Sequence, residues 1–211
     1  MKMLFLHGLG QTSASWNETI SSLPKTFTAY SPNVLDWVKY EPTTYENFFR
    51  GLERYLSSFS QPVSLCGLSL GAVLALNYAI RHPKKVQSLV LIAPQYKMPK
   101  TLLKIQNGLF QLMPKQAFKD LTKSQMIALT SSMIPLNFEA QLNEISCPVL
   151  IVYGQKDRAN QNAAKRLAGL LSKAQIQEIA NAGHEINVTH PKELATLLVN
   201  FLREEKKKEK I

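Results

Sequence analysis

The most informative segment of the sequence is Val63-Ser64-Leu65-Cys66-Gly67-Leu68-Ser69-Leu70-Gly71. It begins as a short apolar run, which is typical of a strand buried on both faces of a sheet. It continues into a helix-like segment, Leu70–Arg81, that ends before Pro83. A serine between strand and helix, with glycine two residues to either side, has room for a sharp turn that projects its hydroxyl. The pattern predicts that Ser69 is a nucleophile, and a purely structural serine is the alternative.

Strand-like and helix-like segments alternate on both sides of this stretch. The strand candidates are Lys2–Leu6, Thr26–Tyr30, Pro62–Cys66, Val86–Ala93, Pro148–Tyr153 and Ala174–Ile179. The helix candidates are Tyr45–Phe59, Leu70–Arg81, Asn160–Leu171 and Lys192–Arg203. The last strand alternates apolar with polar residues, which indicates a half-exposed position near the sheet edge. The alternation predicts an α/β fold with a mostly parallel open sheet of about six strands flanked by helices.

Residues 96–140, called the insert below, interrupt the alternation. The insert is too long for an ordinary connection between two strands, and it is rich in apolar residues. We interpret it as several short helices that form a small helical lid over one end of the sheet. The predicted domains are therefore a core of residues 1–95 and 141–211 with a lid of residues 96–140.

Composition excludes several classes of protein. The 211 residues suit one domain, and an apolar fraction of 45% suits a folded chain. No secretory signal or apolar run of the ~18 residues of a membrane span is evident, so we expect a soluble, cytoplasmic protein. The net charge of +10 comes from scattered lysines and a tail of mixed sign, Arg203–Lys210, which favours a solvated surface over nucleic-acid binding. Cys66 and Cys147 are expected to be buried free thiols, and no Cys/His spacing predicts a metal site.

A His-Gly motif follows the first strand, in Phe5-Leu6-His7-Gly8-Leu9-Gly10. A loop at this place can direct backbone N–H groups at a developing oxyanion. The expected donors are the amides of Leu9 and of Leu70, which directly follows the serine. His7 is interpreted as a brace for the loop, with a role as catalytic base as the alternative.

An acid follows a further buried strand, in Val149-Leu150-Ile151-Val152-Tyr153-Gly154-Gln155-Lys156-Asp157. A catalytic acid has to accept a hydrogen bond from the base histidine and fix its tautomer. Asp157 is well placed for that role, and a helix cap is the alternative. Asp36 and Asp120 are poorer candidates because neither follows a convincing core strand.

A histidine follows the final strand, in Asn181-Ala182-Gly183-His184-Glu185. A base in this loop can reach the same edge of the sheet as the serine. His82 and His190 each stand directly before proline at a helix boundary, where a capping or surface role is expected. His184 is therefore the predicted base, in the chain order serine, aspartate, histidine.

Taken together, these motifs resemble the α/β-hydrolase superfamily over nearly the whole chain. The resemblance rests on His7 and Gly8, Gly67 to Gly71, the strand Val86–Ala93 after Arg81-His82-Pro83, Gly154 with Asp157, and Gly183 with His184. It implies an open, mostly parallel sheet, a variable lid, no cofactor, and hydrolysis of esters, thioesters or amides. It also implies Ser69 as nucleophile, His184 as base and Asp157 as acid.

Three features depart from the family pattern. The chain opens on the strand that is usually third, which indicates a trimmed fold. Ser31-Pro32-Asn33 stands where an acidic, glycine-rich loop is common. The insert matches no particular subfamily, so the substrate stays open.

The insert gives the only hint of a substrate, which we expect to be a small or medium acyl compound. Four of the six methionines lie there, Met98, Met113, Met126 and Met133, and flexible thioethers line adaptable apolar pockets. The alternative is that these residues only pack the insert on the core. The rival functions are carbon–carbon cleavage or elimination by the same triad, or a ligand receptor without enzymatic activity. The sequence does not indicate the oligomeric state.

Overall fold

The structure, a computed structural model, describes residues 1–114, 116 and 120–208. Its centre is one sheet of six strands in the order β2-β1-β3-β4-β5-β6, and every neighbouring pair is parallel. The strands are β1 (Lys2–Leu6), β2 (Thr28–Tyr30), β3 (Val63–Leu68), β4 (Val86–Ile92), β5 (Val149–Gly154) and β6 (Ala174–Ile179). The predicted fold class is confirmed, and β6 lies at the sheet edge as its alternating pattern indicated.

Helices follow most of the strands. They are α1 (Asn17–Ser21), α2 (Tyr45–Ser57), α3 (Leu70–Arg81), α4 (Lys100–Leu112), α5 (Lys123–Met133), α6 (Arg158–Leu170), α7 (Ile186–Thr189) and α8 (Pro191–Lys208). Within the described ranges, no helix has both the length and the apolar character needed to cross a membrane.

The sheet is buried on both faces because successive strand residues point to opposite sides. Leu4 and Leu6 of β1 pack in one core cluster, together with residues of α2, α3 and α6. Met3 and Phe5 of the same strand pack in a second cluster, together with Trp16 and residues of α7 and α8. Helices therefore cover both faces, as the continuous apolar runs of the inner strands predicted.

Several predicted boundaries were wrong by a few residues. Strand β2 begins two residues later than expected, and α6 begins at Arg158, immediately after Asp157. Helix α8 starts at Pro191 and extends through Lys208. The short helices α1 and α7 were missed, because four or five residues are too few to show a helical apolar stripe.

The two ends of the insert run antiparallel where they join the core. Lys97 and Asn137 form an antiparallel bridge, and the Met98 N–H donates to the Leu136 carbonyl at 3.0 Å. The insert contains α4 and α5, and its Leu129 belongs to the core cluster beside α2 and α3. Lys115, Phe118 and Lys119 of the insert lie outside the described residues. The function of the insert as a lid, and its separation as a domain, stay predictions.

Candidate active site

Ser69 sits at a strained corner between β3 and α3. Its backbone has φ 53° and ψ −112°, a left-handed conformation that costs a non-glycine residue about 1–3 kcal/mol. A Cβ atom on Gly67 would lie 2.2 Å from the Gly71 carbonyl oxygen, and one on Gly71 would lie 2.1 Å from that of Leu6. Both positions therefore require glycine, which is the physical reason for the Gly-x-Ser-x-Gly spacing. The Ser69 N–H donates to the Ile92 carbonyl at 3.0 Å and fixes the corner against β4.

The His-Gly loop lies directly against this corner. A Cβ on Gly8 would be 3.5 Å from the Cβ of Ser69. Leu70 is the first residue of α3, so its N–H has no acceptor within the helix. The Leu9 N–H makes no hydrogen bond to any residue in the described part of the chain. Both predicted oxyanion donors thus belong to segments that meet at Ser69.

His7 braces the loop from inside the protein. Its ring is fully buried, and burial lowers its pKa. Nδ1 lies 2.9 Å from the Gly8 carbonyl oxygen, and Nε2 accepts from the Val34 N–H at 3.0 Å. The same Nε2 lies 3.0 Å from Oδ1 of Asn33, which belongs to the Ser-Pro-Asn segment noted above. Because both ring nitrogens are engaged, His7 is a structural residue.

Asp157 and His184 contact each other at the carboxyl edge of the sheet. Their Oδ2 and Nδ1 atoms are 2.7 Å apart, with the Asp157 side chain 6% exposed and the His184 side chain 40% exposed. Asp157 occupies the N-cap position of α6, but its side chain makes no capping hydrogen bond. The carboxylate therefore orients the imidazole, with Nδ1–H as donor, which leaves Nε2 free to accept a proton.

The Ser69 hydroxyl is half-buried and makes no hydrogen bond to any residue in the described ranges. The structure thus joins His184 to Asp157 and brings Ser69 to the same sheet edge without a bond between serine and histidine. Catalytic hydrogen bonds are often long until a substrate binds.

Asn160 completes the aspartate end of the site and was missed by the sequence analysis. Its Nδ2 donates to both Asp157 oxygens at 2.9 and 3.0 Å and lies 3.2 Å from Nδ1 of His184. Its Oδ1 accepts from Nε2 of Gln95 at 2.8 Å. The spacing of three residues from Asp157, across the first turn of α6, could have indicated this contact.

Opposing influences act on the acid. Desolvation by burial raises the pKa of Asp157, but the hydrogen bonds from His184 and Asn160 and the charge of His184 outweigh it. The net result is a pKa below the ordinary value, so the carboxylate stays ionised at neutral pH.

A buried pair of amides ties the His-Gly loop to the histidine loop. Gln11 and Asn187 exchange hydrogen bonds through their side-chain amides at 3.0 and 3.2 Å. Gln11 also donates to Glu185 at 3.1 Å, and Asn187 donates to the Ser15 carbonyl at 3.2 Å. Asn187 is fully buried, so these bonds satisfy polar groups that water cannot reach.

The four methionines of the insert differ in their surroundings. Met98 is buried and lines a cavity of about 440 Å³ whose walls include Gln95 and Leu102. Met126 and Met133 are half-buried, and Met113 is exposed at the end of α4. A role for any of them in substrate binding stays a prediction.

The other candidates lie away from this site. His82 pairs with Glu53 at 2.8 Å, and His190 contacts its neighbour Thr189. Cys66 and Cys147 are buried free thiols, as expected. Within the part of the chain that the structure describes, no group of three or more His, Cys, Asp or Glu residues is arranged to hold a metal ion.

Comparison with known families bears directly on this geometry. The sequence pattern of the alpha/beta hydrolase family matches residues 3–197. The chain belongs to this family. As an alpha/beta hydrolase it is a hydrolase by family, and the roles of Ser69, Asp157 and His184 as nucleophile, acid and base stay predictions.

Relatives of this alpha/beta hydrolase have diverse names. It is 23% identical to carboxylesterase YbfK of Bacillus subtilis over 95% of this chain and 79% of that protein. It is 24% identical to a 2-hydroxy-6-oxononadienedioate/2-hydroxy-6-oxononatrienedioate hydrolase of Pseudomonas putida over 95% of this chain and 87% of that protein. It is 23% identical to the bifunctional biotin biosynthesis protein BioHC of Teredinibacter turnerae over 96% of this chain but only 45% of that protein. A solved hydrolase from Pseudomonas aeruginosa superposes with a TM-score of 0.83 at 16% identity, covering 95% and 89% of the chains.

Proposed function

We propose that this alpha/beta hydrolase is a serine hydrolase that cleaves a carboxylic ester, thioester or amide of a small to medium substrate through an acyl-enzyme. The observation that carries the proposal is the 2.7 Å contact between Asp157 and His184 at the sheet edge that also bears Ser69. The strained backbone at Ser69 supports it, because such strain persists where the surrounding structure maintains it for a functional purpose.

In the proposed mechanism, the Ser69 hydroxyl attacks the substrate carbonyl carbon while His184 Nε2 accepts its proton. Asp157 stabilises the resulting imidazolium through the Nδ1–H bond. Collapse of the tetrahedral intermediate transfers that proton to the leaving group and gives the acyl-enzyme. Water then attacks the acyl carbon, with His184 again as base, and the acid and free serine are released.

The amides of Leu9 and Leu70 are the proposed donors to the tetrahedral oxyanion. One such donor is worth about 3 kcal/mol of transition-state stabilisation. The proximity of Gly8 to Ser69 and the position of Leu70 at the start of α3 support the assignment. Because the donors are main-chain groups, side-chain substitutions at these two positions are not expected to remove them.

Labelling by a fluorophosphonate probe tests the nucleophile. The wild-type chain should be labelled, and Ser69→Ala should not, while Ser22→Ala, which removes an exposed serine of α1's C-cap, should label like wild type. Labelling that persists in Ser69→Ala would show that another residue is the nucleophile. A folded wild-type chain that is never labelled would favour the ligand receptor.

Turnover of p-nitrophenyl esters of increasing acyl length tests the reaction. Hydrolysis with a burst of p-nitrophenol equal to the enzyme concentration would identify the acyl-enzyme. Labelling without ester turnover would favour the rival reactions of the same triad, carbon–carbon cleavage or elimination.

A further inference from the structure

Helix α4 of the insert buries a polar residue and exposes most of its aliphatic ones. Its one buried residue is Asn107, which bonds to Thr130 and donates to Ser131 at 2.9 Å, both on α5. Leu103 is half-buried and packs against the core, but the other four large aliphatic side chains face outward. These are Leu102 (54% exposed), Ile105 (57%), Leu109 (57%) and Leu112 (84%).

The exposed side chains form one continuous stripe. Their spacing of three, four and three residues places them within an arc of about 80° on an α-helix. Met113 follows directly and is also exposed, so five of the nine large apolar side chains exposed in the described ranges belong to this one surface. Single exposed apolar residues are ordinary, but a contiguous patch marks a contact surface.

The charges around the stripe identify the kind of partner. Helix α4 contains no acidic residue, and the insert has six lysines against two acids, Asp120 and Glu139. Lys97 pairs with Glu139, and Lys123 donates to the Gln111 carbonyl. Lys100 and Lys104 are exposed and make no ion pair within the described part of the chain. At 100° per residue, Lys104 lies about 80° around the helix from Leu112, at one border of the stripe, whereas Lys100 lies about 20° from the buried Asn107, on the side away from the stripe.

We propose that α4 docks on anionic phospholipid surfaces, with Leu102, Ile105, Leu109 and Leu112 inserted at the acyl boundary and Lys104 against the headgroup phosphates. An apolar stripe with a lysine-bordered polar side is the pattern of helices that lie in the membrane interface, buried by about 5–10 Å. A second copy of the chain fits less well, because face-to-face contact would bring two acid-free helices and their lysines together.

Vesicle sedimentation tests the proposal independently of catalysis. The full chain carrying Ser69→Ala, which cannot turn over lipid by the proposed mechanism, is mixed with vesicles of phosphatidylcholine alone or with about one third phosphatidylglycerol. The protein should bind the anionic vesicles and bind them less at high salt, because screening weakens the charge attraction. Absence of binding to the anionic vesicles would overturn the proposal.

Matched variants locate the surface. Ile105→Glu/Leu109→Glu should lower the partition coefficient at least about tenfold, since two inserted side chains are replaced by charges. Tyr40→Glu/Leu170→Glu makes the same chemical change at two exposed apolar positions elsewhere and should differ by much less. Equal losses in both variants would show only an effect of net charge and would overturn the assignment to α4.

Lys104 has matched controls of its own. Lys104→Gln should weaken binding by about fivefold. Lys100→Gln, on the side of α4 away from the stripe, and Lys84→Gln, at an exposed turn before β4, should weaken it less. Sedimentation velocity tests whether the stripe binds a second copy of the chain instead. A wild-type dimer that dissociates in Ile105→Glu/Leu109→Glu, together with no binding to vesicles, would assign the stripe to a second copy and overturn the proposal. Urea unfolding midpoints within error of wild type show that each variant is folded.

Discussion

Gly154, the last residue of β5, controls the distance between the acid and the base. A Cβ at this position would lie 2.2 Å from the Gly183 carbonyl oxygen and 2.5 Å from that of Ala182. These carbonyls belong to the loop that presents His184, whereas Asp157 follows Gly154 by three residues on the other loop. The close approach of the two backbones therefore sets the 2.7 Å contact between Asp157 and His184.

The substitution Gly154→Ala should separate the pair. Restoring an ordinary contact of 3.4 Å requires a shift of about 1.2 Å between the two loops. Since a misplacement of about 1 Å costs roughly 100-fold in rate, equivalent to about 2.7 kcal/mol on the barrier, we expect a loss of that size in kcat/KM. The overpacked contact should also lower the free energy of unfolding by about 1–3 kcal/mol.

The assay is initial-rate hydrolysis of a p-nitrophenyl ester, with urea unfolding on the same preparations. Gly183→Ala is the matched control, because a Cβ there meets no atom within 4 Å, although it sits beside His184 in the same loop. The control should stay within about threefold of wild type. A folded Gly154→Ala variant that also stays within threefold of wild type would show that the spacing of the two loops does not govern the Asp–His pair.

Two further predictions concern stability. Folding lowers the pKa of Asp157, so its contribution to the free energy of unfolding is present above its ordinary pKa of 3.8 and is lost as the pH falls through the lowered value. The difference in unfolding free energy between wild type and Asp157→Asn, measured in urea, should therefore become smaller below about pH 4. A difference that grows on acidification would contradict this prediction. Asn187→Leu should cost roughly 2 kcal/mol, because the buried Gln11 Oε1 loses its donor while Nε2 keeps its bond to Glu185. Gln11→Leu/Asn187→Leu should cost less than the sum of the single changes, and strict additivity would show that the amides are uncoupled.

The fold could be predicted from the sequence because strands buried on both faces of a sheet appear as continuous apolar runs. The inner strands are almost wholly apolar, and the helix after Ser69 is predicted with the observed limits, Leu70–Arg81. Boundaries were less predictable where a turn rather than burial sets them. Strand β2 is one example, since its three half-exposed or exposed residues depend on pairing with β1.

The contact between Asp157 and His184 could be anticipated because both follow parallel strands, whose carboxyl ends share one edge of the sheet. The buried pair of side-chain amides that supports the site could not be anticipated. Gln11 and Asn187 are separated by 176 positions, and neither lies in a pattern that marks it as buried. Their pairing depends on which two loops meet, a property of the assembled sheet rather than of either segment.

The orientation of α4 could not be predicted from the sequence either. Its apolar residues predicted a helix and were open to interpretation as packing on the core, but only Leu103 packs there, and the one fully inward residue is Asn107. The neighbouring helix explains why, since α5 presents Thr130 and Ser131 at this contact. An apolar side chain at position 107 would lose the hydrogen bonds to both hydroxyls. These bonds hold Asn107 against α5 and leave the aliphatic stripe on the outside, where a lipid surface can meet it.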